Sequence, residues 1–217
     1  MTALAVVAVL LGAAAALVDT QVAELARASR GPFARAMVAI TDVGLGKWYV
    51  YPALAVFLAL GALDYGAMDR PRRLRLSLLF GQAGFAAAAI GLPQIIVNSL
   101  KDAVGRARPH LYDLGGAFQF DPFNGTGPYA SFPSGHAATC GALATVLSLW
   151  FPRAAAPIMA AGVFFASTRV VALRHYLSDI VIGYLIGALF ALWLARLLAR
   201  RRLAFGAAPG KMIPRVR

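Results

Sequence analysis

Six apolar stretches constrain this chain more than any other feature: Ala3 to Val18, Trp48 to Leu63, Leu76 to Leu100, Ala137 to Phe151, Ala154 to Val171 and Ile180 to Leu198. Most approach the roughly 20 residues that a helix needs to cross the hydrocarbon core of a bilayer. Backbone groups in lipid must satisfy one another, and in long continuous runs that means helices. The expectation is an all-α integral membrane bundle of about six transmembrane helices. The 217 residues are 60% hydrophobic and only 14% charged, too apolar for an ordinary soluble domain. A net charge of +12 does not indicate nucleic acid, because the basic residues lie between and after the apolar stretches.

The first stretch has no preceding Lys or Arg, which favours a retained span over its rival, a cleaved signal peptide. Asp19 to Arg30 is polar and Gly31-Pro32 breaks the chain. Phe33, Met37, Ile40 and Thr41 then recur at helical spacing and predict a short interfacial helix. Gly44 to Lys47 reads as a turn, with Lys47 a snorkelling interfacial lysine beside Trp48, Tyr49 and Tyr51. In the third stretch Gly91 and Pro93 are kink points, and Gln82, Gln94, Asn98 and Ser99 are expected to face the bundle interior. The single cysteine, Cys140, excludes an intramolecular disulfide.

Residues 1–200 read as one membrane domain and residues 201–217 as a basic tail. Six spans place both termini on one side, with Arg70, Arg72, Arg73, Arg75, Arg153 and the tail, including Lys211 and Arg217. That side holds 12 of the 21 basic residues and is cytoplasmic by the positive-inside rule. Lys101, Arg106, Arg108, Arg169 and Arg174 fall on the other face, against that rule, which suggests that they are used. The loop from Asp102 to Phe132 is long, and its interleaved aromatics and glycines predict an ordered lid dipping into the interface.

Three short motifs meet on that face. His175 and Asp179 are four residues apart, so on one helix the carboxylate would accept a ring N–H and orient the imidazole. Arg169 can join them only if the helix breaks between Val170 and Arg174. Lys101 and Arg108, seven apart, would stack on one helix face before Pro109 ends it. Pro133-Ser134-Gly135-His136 has the form of a helix start: Ser134 caps, Gly135 admits close approach, and free N–H groups favour an anion. His136, in the first turn, is placed to donate a proton.

These motifs resemble the type 2 phosphatidic-acid phosphatase superfamily, whose active site is related to that of vanadium haloperoxidases. The family pattern K-x6-RP, PSGH, SR-x5-H-x3-D reads here as Lys101 to Arg108-Pro109, Pro133 to His136, and Thr168-Arg169 to His175 to Asp179, with Thr168 where serine is usual. The resemblance implies that His175 forms a phosphohistidine, Asp179 orients it, and His136 protonates the leaving oxygen and then activates water. Lys101, Arg108, Ser134, Gly135 and Arg169 would hold the phosphoryl oxygens, with no metal or other cofactor. It implies a multi-pass protein of the bacterial inner membrane, acting on its outer face on a lipid phosphate: undecaprenyl diphosphate first, lipid A 1-phosphate, phosphatidylglycerophosphate or phosphatidic acid otherwise. A phosphotransferase and a non-catalytic lipid-phosphate carrier are the rival classes.

Overall fold

A computed structural model describes residues 1–29, 31–206 and 213–216. The helices are α1 (Thr2–Ala16), α2 (Asp19–Ala28), α3 (Pro32–Ala39), α4 (Lys47–Gly61), α5 (Arg70–Gly91), α6 (Pro93–Val104), α7 (Tyr112–Gly115), α8 (Gly135–Trp150), α9 (Ala155–Val171) and α10 (Leu177–Arg200). Two-residue strands β1 (Phe205–Gly206) and β2 (Arg215–Val216) pair antiparallel after them.

Four segments are long and apolar enough to cross a membrane: Pro32–Gly61, Arg70–Val104, Pro152–Val171 and Leu177–Arg200. The pair α1 and α2, bent by 56°, makes a fifth when taken together. The remaining expected span, α8, has 16 residues and is short by the same measure, yet it lies at the centre, packed against α5, α6, α9 and α10.

Lipid offers no hydrophobic gain for helix association, so close packing of small residues must supply it. The α8 sequence is built for this, burying Ala137, Ala138, Gly141, Ala142 and Ala144. A β-carbon at Gly187 of α10 would lie 1.9 Å from the Ala138 carbonyl oxygen, and one at Gly141 would lie 2.0 Å from that of Tyr184. Meanwhile Val9, Leu10, Leu58, Ile95 and Val163 point outward, as lipid-facing side chains should.

The third apolar stretch breaks where expected, between Gly91 and Pro93. Gln82 bridges inward, accepting from Trp150 Nε1 at 2.7 Å and donating to the Ala204 carbonyl at 2.7 Å. Gln94 donates to Gly135 O and Thr139 Oγ1, each at 3.2 Å. Asn98 and Ser99 are exposed instead, because after the break α6 turns Val97 inward and they occupy its outer side. Past α10 the chain folds back, with Phe205 fully buried and edge-on to Phe85 at 4.8 Å. Arg200, Arg201 and Arg202 remain exposed; Arg30, Lys211 and Arg217 lie outside the described residues.

The α8–α10 seam has no room for a larger residue. Gly187→Leu is expected to cost about 1–3 kcal/mol, typical of overpacking, and to lower the thermal midpoint in detergent; an unchanged midpoint would show the contact to be slack.

Candidate active site

The helix break expected after Arg169 is present. Helix α9 stops at Val171, Leu173 takes a left-handed φ of 52°, and the amides of Arg174 and His175 return to the Arg169 carbonyl at 3.0 and 3.3 Å. His175 therefore precedes α10 rather than sharing it with Asp179, and this corrects the sequence reading. Nδ1 of His175 lies 3.8 Å from Asp179 Oδ2, beyond hydrogen-bond reach, and 2.7 Å from the Ser131 carbonyl oxygen. A carbonyl only accepts, so Nδ1 carries the proton and Nε2 presents its lone pair.

Asp179 has no exposed surface. It accepts from Ser131 Oγ at 2.6 Å, from the Tyr176 amide at 2.8 Å and from Arg106 Nη1 at 2.7 Å. Ser131 thus serves twice, its carbonyl fixing His175 and its hydroxyl holding Asp179. The lid makes this possible: the amides of Ala107, Asp121 and Ser131 bond to Gln119, Gly105 and Arg106 carbonyls, which orders the loop as expected.

On the opposite side of His175 the chain gathers cations. Lys101 and Arg108 do not share a helix face, a second correction, because Gly105 ends α6 with φ 56° and the chain reverses. A β-carbon there would meet the Asp121 carbonyl at 1.6 Å, so the reversal requires glycine. Arg108 then runs extended before Pro109, its amide on Pro128 O at 2.8 Å and its Nε on Gly127 O at 3.2 Å. Ser134 caps α8 as expected, Oγ accepting from the Ala137 amide at 3.3 Å, while its own amide donates to the Asp179 carbonyl at 3.0 Å. That bond joins the starts of α8 and α10. At Gly135 a β-carbon would lie 2.9 Å from Gln94 Oε1 and 3.6 Å from Lys101 Nζ, so the glycine keeps the helix start open beside the lysine.

Arg169 is held by Thr41, whose Oγ1 accepts from Nη1 at 3.2 Å and sits 3.0 Å from Thr168 Oγ1. Thr168 bonds the Phe165 carbonyl at 2.6 Å, so its hydroxyl remains in use. Among the described residues Arg169 Nε and His136 Nε2 are buried without a hydrogen-bond partner, and Lys101, Arg108 and Arg169 have no carboxylate partner. Half-buried positive charge left in this state is a place for an anion. Burial, then Arg174, pushes the Arg108 guanidinium below its ordinary pKa. Burial also pushes His175 down; Asp179 opposes this, while Arg108 and Lys101 add to it. A cavity of about 370 Å³ opens beside His136 and Lys101, lined also by Gln94, Gly135, Lys47 and Tyr51.

All eight predicted site residues thus lie around one centre. Sequence reasoning passed over Asp19, Thr41 and Ser131 and gave Arg106 no partner. Asp19 was visible as an acidic residue directly after an apolar span, a position worth explaining in a membrane protein. The arrangement can seat a tetrahedral oxyanion against an imidazole with a free lone pair and a second imidazole nearby. Among the described residues no three His, Cys, Asp or Glu side chains converge to hold a metal.

The sequence pattern of the PAP2 superfamily matches residues 82–203. A lipid A 1-phosphatase of Rhizobium johnstonii is 35% identical over 172 residues, 78% of this chain and 70% of that protein. A lipid A 1-phosphatase of Rhizobium etli is 34% identical over 172 residues, 78% of this chain and 73% of its own. The crystal structure of a transmembrane PAP2-type phosphatidylglycerolphosphate phosphatase from Bacillus subtilis superposes with a TM-score of 0.58 at 17% identity, covering 92% of this chain and 96% of that one.

Thr41→Val removes the hydroxyl that holds Arg169. Inorganic phosphate is expected to bind about fivefold more weakly by calorimetry, as for one lost hydrogen bond of about 1 kcal/mol. Unchanged affinity would detach Arg169 from the anion site.

Proposed function

Since the chain belongs to the PAP2 superfamily, we propose that it is a multi-pass lipid phosphatase which removes the 1-phosphate of lipid A through a phosphohistidine on His175. The observation that carries the mechanism is the fixed tautomer: Nδ1–H is tied to the Ser131 carbonyl, so Nε2 is the free nucleophile near three cations that have no carboxylate partner among the described residues. Similarity across most of two lipid A 1-phosphatases supports that substrate ahead of undecaprenyl diphosphate, which no contact in the site favours.

In this reading the Nε2 lone pair bonds to phosphorus as the bond to the leaving oxygen breaks, and His136 supplies that oxygen with a proton. His136, now neutral, takes a proton from water, whose oxygen attacks phosphorus and frees the imidazole. Lys101, Arg108, Arg169 and the amides at the start of α8 take up the charge that grows on the equatorial oxygens, the dominant need in phosphoryl transfer. The cavity beside His136 can admit the part of the headgroup that carries the phosphate. An apolar slot of about 180 Å³, lined by Val43, Thr139, Cys140, Leu143 and Phe165, lies next to it and suits a hydrocarbon chain. Activity on the outer face of a bacterial inner membrane, with both termini cytoplasmic, is part of the proposal.

The test is phosphate release by purified protein in EDTA from lipid A 1-phosphate, undecaprenyl diphosphate, phosphatidylglycerophosphate and phosphatidic acid. Lipid A 1-phosphate is expected to be turned over fastest; a different winner replaces the substrate, and phosphate appearing only on an acceptor alcohol makes the protein a transferase. His175→Ala should lose turnover by at least about a thousandfold, as for an essential nucleophile, while still binding phosphate.

His136→Ala should slow esters with poor leaving groups by about 10²–10⁴, the usual worth of a general acid, and aryl phosphates much less; equal losses would remove the acid role. His175 must be neutral to attack and its pKa is lowered, so the acid limb of kcat is expected below the ordinary histidine value of about 6.5. The unfolded chain protonates first, so stability contributed by neutral His175 is lost as pH falls from that value toward the folded pKa. An acid limb above about 6.5 would contradict the burial of His175.

A further inference from the structure

Arg106 sits inside the K-x6-RP segment but cannot bind substrate phosphate, because its hydrogen bonds are already spent. Its side chain is 3% exposed. Nε donates to the Ala117 carbonyl at 3.1 Å; Nη1 donates to Ser178 Oγ at 2.8 Å and Asp179 Oδ1 at 2.7 Å; Nη2 donates to Asp19 Oδ2 at 2.9 Å and Ala117 O at 2.7 Å. A guanidinium has five N–H groups, and these are five bonds. The rings of Tyr176 and Phe118 flank its Cζ at 4.2 and 5.5 Å.

Asp19 closes the arrangement from the other side. It is fully buried at the start of α2, outside the segment that matches the family, and it accepts from the Ser178 amide at 2.9 Å and from Ser178 Oγ. One cation is therefore shared between two carboxylates, Asp19 and Asp179. The charge count matters here. Arg106 with Asp179 alone would be neutral; with Asp19 the trio carries one net negative charge beside His175. The other charged and titratable groups about His175 are Lys101 on α6, Arg108 after it, His136 and Cys140 on α8, Arg169 ending α9, Arg174 in the turn and the neighbouring Tyr176. The further carboxylate, Asp42, acts on Arg169, so among the described residues Asp19 and Asp179 are the negative groups bonded into the histidine's own network.

We propose that Asp19 is a positioning residue of the reaction: by sharing Arg106 it leaves Asp179 free to stabilise positive charge on His175. The inference rests on the phosphohistidine reading, since the phosphorylated ring is cationic when Nδ1 keeps its proton. Asp19 thus acts through Arg106 and Asp179 and never meets the substrate. It also makes α2 part of the catalytic centre rather than a connector.

The experiment compares pH–rate profiles of full-length wild type, Asp19→Asn, the double variant Asp19→Asn/Arg106→Gln, and His175→Ala. Asp19→Asn is expected to lower kcat about tenfold with KM within about twofold, and to move the acid limb of kcat about one unit down in pH, because imidazolium is less stabilised. The double variant removes one charge of each sign and returns the net negative charge to Asp179, so its acid limb should move back toward wild type. That recovery is readable even if Asp19→Asn alone does not fold. A structural brace predicts the opposite: an unmoved acid limb in Asp19→Asn, or no recovery in the double variant, and either overturns the proposal. If His175→Ala still turns over, the phosphohistidine reading itself has failed; if it is dead while Asp19→Asn keeps its acid limb, only the role of Asp19 has failed.

Discussion

A carboxylate with no exposed surface in an apolar bundle must be met by donors, and the rest of the centre follows from how Asp179 meets this demand. An uncompensated charge at such depth would cost several kcal/mol. Its donors come from three places: Arg106 after α6, Ser131 at the end of the lid, and the Tyr176 amide at the start of α10. Satisfying one side chain therefore fixes three segments relative to one another. Ser131, once its hydroxyl is held there, turns its carbonyl to His175 and sets the tautomer. The orientation of the nucleophilic candidate is thus a backbone property, secured at one remove by the carboxylate that was expected to touch it.

Charge is sorted into two groups. Asp19, Arg106 and Asp179 are bonded to one another, whereas among the described residues Lys101, Arg108 and Arg169 have no carboxylate partner. The first group holds the fold together; the second is held by the fold at a cost that a bound anion would offset. Neither would form if the helices stood apart. The glycines that let α8 and α10 touch backbone to backbone also bring Ser134 against the start of α10, where its amide meets the Asp179 carbonyl.

Local rules made much of this legible. Proline and glycine marked the break between α5 and α6, Ser134 marked the start of α8, and the geometric conflict between Arg169 and His175 required the turn after Val171. What escaped were contacts set by tertiary structure. Helical spacing predicts that His175 meets Asp179, but the bond goes to a carbonyl 44 residues away, which no periodicity announces. Lys101 and Arg108 come together by a chain reversal at Gly105, although the seven-residue interval suggested one helix face. Asp19 lies 159 residues from the Ser178 it binds, and its role depends on Arg106 being unavailable to ligand. Asn98 and Ser99 show the reverse error, since polarity within an apolar stretch suggested burial that the kink at Pro93 did not deliver.

The shortness of α8, which made it the weakest span by length, fits the proposed chemistry. Sixteen residues rise about 24 Å, roughly 6 Å less than the hydrocarbon core. If exposed Pro152 and Arg153 mark one membrane surface, the first turn falls short of the other and calls for a cover of ordered backbone. The lid supplies that cover, pairing backbone amides such as those of Ala107, Asp121 and Ser131 internally and leaving Leu114, Phe118 and Phe123 exposed. Apolar side chains on such a lid can rest in the interface beside the acyl chains of a substrate. In the proposed reading, an oxyanion site under such a lid would let a phosphate reach His175 while its hydrocarbon stays in the bilayer, so the substrate would not need to be extracted before it reacts.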